Sequence, residues 1–152
     1  MIVIAAVDRS DRAPRVVREA VAVADKFDAT PHVVHVLSQS QFVELEMSET
    51  RKTGRAVDMD RVRAYATEVA ETAASEADAE DAAEAVGLVG NPTQALLEYA
   101  EDNDARFIVV GSRRRSATGK LLFGSVTQSI LLDADRSVIA VPPRETLSEA
   151  DA

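Results

Sequence analysis

The chain has 152 residues, a length that suits one domain with a sizeable hydrophobic core. It contains no cysteine, which excludes disulfides, zinc–thiolate sites and cysteine nucleophiles, and no apolar run approaches the roughly 20 residues needed to span a bilayer. A net charge of −9 argues against general nucleic-acid binding, which needs a basic face to displace counterions from phosphates.

Arginines outnumber lysines 14 to 3, and alanine and aspartate are abundant. That balance resembles cytosolic proteins of salt-loving archaea, whose acidic surfaces stay soluble when charge is screened; an ordinary acidic bacterial protein is the alternative. Met1-Ile2-Val3-Ile4 lacks the basic flank and cleavage site of a signal peptide and reads as a strand, so a cytoplasmic protein is expected.

Strand and helix signals alternate along the chain. Ile2 to Val7 is an apolar strand, and Asp8-Arg9-Ser10-Asp11 is a turn that starts a helix. From Ala13 to Phe27 the apolar residues Val16, Val17, Ala20, Ala24 and Phe27 form one helical stripe. Pro31 to Leu37 is a second strand, whose His32 and His35 are three apart and point to opposite faces, so they cannot share a metal. Ser38 to Gly54 is polar and irregular, with no element assigned. Val57 to Ala79 has Val62, Ala66, Val69 and Ala73 at helical spacing, with a solvated acidic face.

Ala85 to Val89 is a weak strand, weakened by Gly87. Asn91-Pro92 starts a helix, Asn as cap and Pro at the first position, with Leu96, Tyr99 and Ala100 inward. Arg106 to Val110 is a buried-type strand, Ser125 to Leu132 a helix and Ser137 to Val141 a last strand. One domain over residues 1–143 is expected, followed by a polar tail over 144–152. Five strands separated by helices imply an α/β fold: a parallel sheet, helices on both faces, and a ligand cleft beyond the strands' carboxyl ends.

The most informative stretch runs from Gly111-Ser112-Arg113-Arg114-Arg115 to Gly124-Ser125-Val126-Thr127-Gln128. Ser125 to Gln128 has the pattern of a capping box, with Ser125 as the cap. A glycine-bearing loop delivered to a helix N-terminus suits an anion, because free N–H groups and the helix dipole favour negative charge. Gly119-Lys120 is not a P-loop, since Arg114 and Leu121 stand where that motif needs Gly and Ser or Thr.

Together these pieces resemble the universal stress protein family. The likeness spans IVIAAVDRS at the start, VVHVL, GNPTQALLEYA, and IVVGS…LLFGSVTQSIL…SVIAVP. It implies a Rossmann-like sheet of the adenine nucleotide alpha hydrolase kind, ordered 3-2-1-4-5 and dimeric through the last strand, Ser137 to Val141. One branch of that family binds ATP through Gly, two residues, Gly, nine residues, Gly, then Ser or Thr. Carried over, Gly111, Gly124 and Ser125 match that pattern, with Val126 continuing the phosphate cradle. Asp8 matches the acidic residue facing the adenosine, and Ala6, Val7 and Val36 match the adenine pocket. Arg114 replaces the second glycine, which puts ATP binding in doubt, while Arg113 and Arg114 offer charge to a polyphosphate.

Two main readings stay open at this level, with a slow ATPase as a weaker third. In one, the chain is a regulatory or signalling protein that binds ATP or AMP, with Mg²⁺ carried by the phosphates near Asp8 and an unknown protein partner. In the other, it is a nucleotide-free dimeric interaction module whose pocket is closed by Arg114. No constellation for catalysis is evident, so no enzymatic activity is expected.

Overall fold

The computed structural model describes residues 1–143, and the tail expected over 144–152 lies outside the described residues. The chain order is β1 (Ile2–Ala6), α1 (Ala13–Lys26), β2 (Thr30–Leu37), α2 (Gln39–Thr53), α3 (Met59–Glu76), β3 (Glu84–Val89), α4 (Pro92–Asp102) and β4 (Ala105–Gly111). Then come β5 (Arg114–Arg115), β6 (Leu121–Leu122), α5 (Ser125–Asp133) and β7 (Ser137–Val141). Five parallel strands form the main sheet in the order β3-β2-β1-β4-β7, which is the expected 3-2-1-4-5 with β7 as the fifth sheet strand.

Alternation along the strands divides the core between the sheet's two faces. Val3, Ala5, Val33 and Val109 pack beneath α1 and α3, which contribute Val17, Ala20, Ala70 and Ala73. Ile4, Val34, Ile108 and Val110 pack on the other face against Leu96 and Ala100 of α4 and Ile130 of α5. The alanine-rich helix stripes let α1 and α3 lie close to the sheet. Gly87 of β3 is the tightest point: a Cβ there would strike the Thr67 amide nitrogen, and would lie 2.5 Å from Thr67 Oγ1 and 2.7 Å from Ala66 C. The glycine that looked like a weakness in β3 is what admits the α3 backbone.

Two expectations are corrected. The segment read as irregular is the helix α2, held at its start by a reciprocal Ser38–Gln41 capping box and closed by Gly54 at φ +71°. It carried no clear apolar stripe to read because none of its residues is fully buried, Phe42 and Leu45 packing only in part against Leu37, Val62 and Ala66. The loop between Gly111 and Gly124 contains an antiparallel hairpin, β5–β6, pairing Arg114 with Leu122 and Arg115 with Leu121. These strands are two residues each and too short for any periodicity to announce them.

Candidate functional site

A cleft of about 270 Å³ opens at the carboxyl ends of β1, β2 and β4. This is the switch point of the sheet, since β1 connects to β2 on one side and lies beside β4 on the other. Ala6, Val7 and Asp8 enter it from the end of β1 and Val36 from β2. Gly111, Arg113, Gly124, Ser125 and Val126 form the opposite wall. Nine of the residues singled out in the sequence therefore line one cleft. Arg114 does not line it; it is exposed on β5.

The pocket is thus not closed by Arg114. Its neighbour Arg113 takes the position at the cradle: a Cβ built on Gly124 would fall 2.9 Å from Arg113 Nε and 3.2 Å from Nη2. The backbone amide of Arg113 donates to the Leu122 carbonyl at 2.8 Å, extending the hairpin. Successive residues of such a ribbon face opposite sides, so Arg113 turns toward Gly124 and Arg114 turns away. Arg113 is exposed and makes no ion pair among the described residues, so its guanidinium lies against the cradle without burying it.

Capping at α5 also differs from expectation. Gly124, not Ser125, is the N-cap residue, and no side chain among the described residues caps the helix. The first amides of a helix have no intrahelical acceptor. Helices α2, α3 and α4 meet that need with Ser38, Asp58 and Asn91. In α5 the cap residue is a glycine with no side chain to offer, and the open amides of its first turn face the cleft beside Arg113. Ser112, by contrast, is anchored: its amide and hydroxyl both donate to the Val141 carbonyl at 3.0 Å, fixing the turn after Gly111 to β7.

Asp8 is partly engaged within its own turn. Its Oδ1 accepts the Ser10 amide at 2.9 Å, an Asx turn, and its Oδ2 lies 3.6 Å from Arg12 Nη2. Neither Ser10 nor Asp11 is the α1 cap; Arg12 occupies that position without a side-chain cap bond. The carboxylate stays largely exposed at the cleft, so it remains accessible to a ligand hydroxyl or hydrated cation.

Two of the lining residues that were not anticipated carry ionisable side chains, Arg12 and His35. Arg12 gave no signal, as one arginine among fourteen. His35 Nδ1 donates to the Val7 carbonyl at 2.8 Å, which can only accept, so in the neutral ring Nε2 is an acceptor. That Nε2 is buried without a partner among the described residues. Burial pushes the His35 pKa down, opposed by the Val7 bond and by Asp8, while Arg9 adds to the lowering. His32 is engaged elsewhere, with Nδ1 2.7 Å from the Tyr99 hydroxyl and Nε2 2.9 Å from Glu84.

Among the described residues no group of three or more His, Asp or Glu side chains could hold a metal ion, and no helix is long and apolar enough to cross a membrane. The geometry defines a doubly wound α/β protein with a cleft at its switch point, apolar toward β1 and β2 and electropositive at α5. The chain belongs to the universal stress protein family, whose profile matches residues 1–142. It is 31% identical to a universal stress protein of Thermus aquaticus over 140 residues, covering 91% of this chain and 96% of that one. The match to a universal stress protein of Mycolicibacterium smegmatis is 45% identical over 51 residues, 34% of this chain and 39% of that protein. Among solved structures, the Archaeoglobus fulgidus universal stress protein in complex with dAMP is 26% identical with a TM-score of 0.54, covering 91% of this chain and 94% of that one.

Proposed function

We propose that this universal stress protein binds an adenine nucleotide, ATP or AMP, and reports its level to a protein partner in the cytoplasm without turning it over. The observation that carries this reading is the uncapped start of α5, whose amides and dipole face the cleft beside the Arg113 guanidinium. An anion there meets donors that no described side chain already occupies. The solved dAMP complex of the Archaeoglobus fulgidus relative supports adenine as the base.

In this reading the base packs among Ala6, Val7 and Val36, and Asp8 accepts from the ribose hydroxyls. The phosphates take the amides of Ser125 and Val126, with Arg113 over them. Mg²⁺ arrives on the phosphates, with Asp8 the nearest cleft carboxylate. Apolar β7 has one edge paired to β4 and the other unpaired among the described residues, and the proposal includes a homodimer through that edge.

Titration calorimetry of the full chain with Mg-ATP and with AMP tests the reading, together with melting curves. A ligand at 100 times its Kd stabilises the fold by about 2.7 kcal/mol through mass action. No heat and no thermal shift at millimolar nucleotide would reject it. One observation favours a second reading: Arg113 against Gly124 can also cover the cradle, leaving a nucleotide-free dimeric interaction module.

A further inference from the structure

We propose that the cleft continues into a second anion site, an arginine-lined groove that takes the outer phosphates of adenosine carrying an extended phosphate chain, as in adenosine tetraphosphate or diadenosine tetraphosphate. This rests on the nucleotide reading above and names the ligand class that would fill the whole space.

The groove has a volume of about 590 Å³ and lies beyond Gly111, between α1 and the carboxyl end of β7. It shares Arg12, Val16, Gly111 and Arg113 with the nucleotide cleft, so the two spaces meet along one wall. Among the described residues, Arg12, Arg15, Arg18 and Arg113 line it against a single acid, Asp11. Four arginines to one acid is a local reversal of sign in a chain of net charge −9.

Two of the four arginines have partners in the fold and two do not. Arg12 stands at the N-cap of α1, and Arg15 and Arg18 follow at three-residue spacing along the helix, where like charges repel. Arg12 has Asp8 at 3.6 Å, and Arg18 donates to the Glu76 carbonyl at 3.2 Å. Arg15 and Arg113 form no ion pair among the described residues. A bound oligoanion would relieve that repulsion, and exposed guanidiniums are suited to phosphate oxygens.

Sheet order sets the direction of the chain of phosphates. Across the carboxyl edge the order is β2, β1, β4, β7. The base subsite lies at β1 and β2, the α5 amides face the end of β4, and the groove lies at the end of β7. Adjacent strands are ~4.8 Å apart, so β1 to β7 is two steps, about 10 Å. A monophosphate would end at α5. A longer chain would pass Arg113 and enter the groove.

The test is calorimetry on the full chain at low and high salt with AMP, ATP, adenosine tetraphosphate, diadenosine tetraphosphate and inorganic tripolyphosphate. Arg15→Ala and Arg15→Glu are the variants, because Arg15 is exposed and lines the groove but not the cleft. Adenosine tetraphosphate should bind about tenfold or more tightly than AMP at low salt. Arg15→Ala should leave AMP affinity unchanged and weaken the tetraphosphate roughly three- to tenfold, with Arg15→Glu weakening it further. Equal affinity for the two tetraphosphates supports the groove with the second adenosine in solvent; tighter diadenosine binding supports it with that adenosine held.

AMP binding with no gain from added phosphates, or a tetraphosphate affinity indifferent to Arg15, overturns the groove and leaves the cleft reading standing. Tripolyphosphate binding as tightly as adenosine tetraphosphate also overturns it, by making the arginines a non-specific anion surface. No binding of any adenine nucleotide removes both proposals.

Discussion

Replacing Arg113 by alanine decides between the two readings by the sign of its effect. The guanidinium lies beside Gly124 at the uncapped start of α5, exposed and without an ion pair among the described residues. If it holds phosphate, its removal costs a charge-assisted hydrogen bond, about 1.5–3 kcal/mol for a protected pair. Exposure places Arg113 at the lower end, so ATP affinity should fall roughly tenfold at low salt. The loss should shrink at 1 M salt, where the Debye length falls to about 3 Å from about 10 Å at 0.1 M. Adenosine, which has no phosphate, serves as the control and should bind the variant unchanged. Folding stability should move by no more than about 0.5 kcal/mol, as for a surface substitution. Titration calorimetry at two salt concentrations measures all of this. Unchanged ATP affinity would refute a phosphate role for Arg113, and a gain in affinity would show that the guanidinium occludes the cradle.

Gly87→Ala should destabilise the fold by about 3 kcal/mol, because the added Cβ meets α3 backbone rather than a side chain that can swing away. For a domain of this size that is roughly 6–12 °C in Tm by circular dichroism, and a loss below about 1 kcal/mol would contradict the α3–β3 packing. Stability should also fall on acidification below pH 6.5, the ordinary histidine value. The folded-state pKa values of His32 and His35 are both lowered, chiefly by burial, so the unfolded chain takes up protons first. His35→Gln should flatten that slope between pH 7 and pH 5; an identical slope would assign the effect to other groups. Sedimentation equilibrium at micromolar concentration should give twice the 16.3 kDa chain mass if the β7 edge pairs with a second copy, whereas a single-chain mass would rule that pairing out.

Much of this structure follows from local rules that a sequence displays directly. The Val16–Val17–Ala20–Ala24 stripe makes α1, the Asn91-Pro92 start makes α4, and the β-branched runs make β1, β2, β4 and β7, because each depends on neighbours within a few residues. The strand order and the residues lining the cleft were legible through the family resemblance, since no periodicity states which strands are adjacent. Other features needed the folded chain. Helix α2 has no fully buried residue and so left no clear stripe, and the value of Gly87 appears only when α3 lies across it. Three consecutive arginines are equivalent on paper. Hairpin pairing with Leu121 and Leu122 turns Arg113 to the cradle and Arg114 to solvent, and the glycine cap leaves the α5 amides open. Composition and short-range spacing are enough to shape each element. Which side chain meets which ligand is set by contacts between segments far apart in the chain, and those exist only after the sheet has closed.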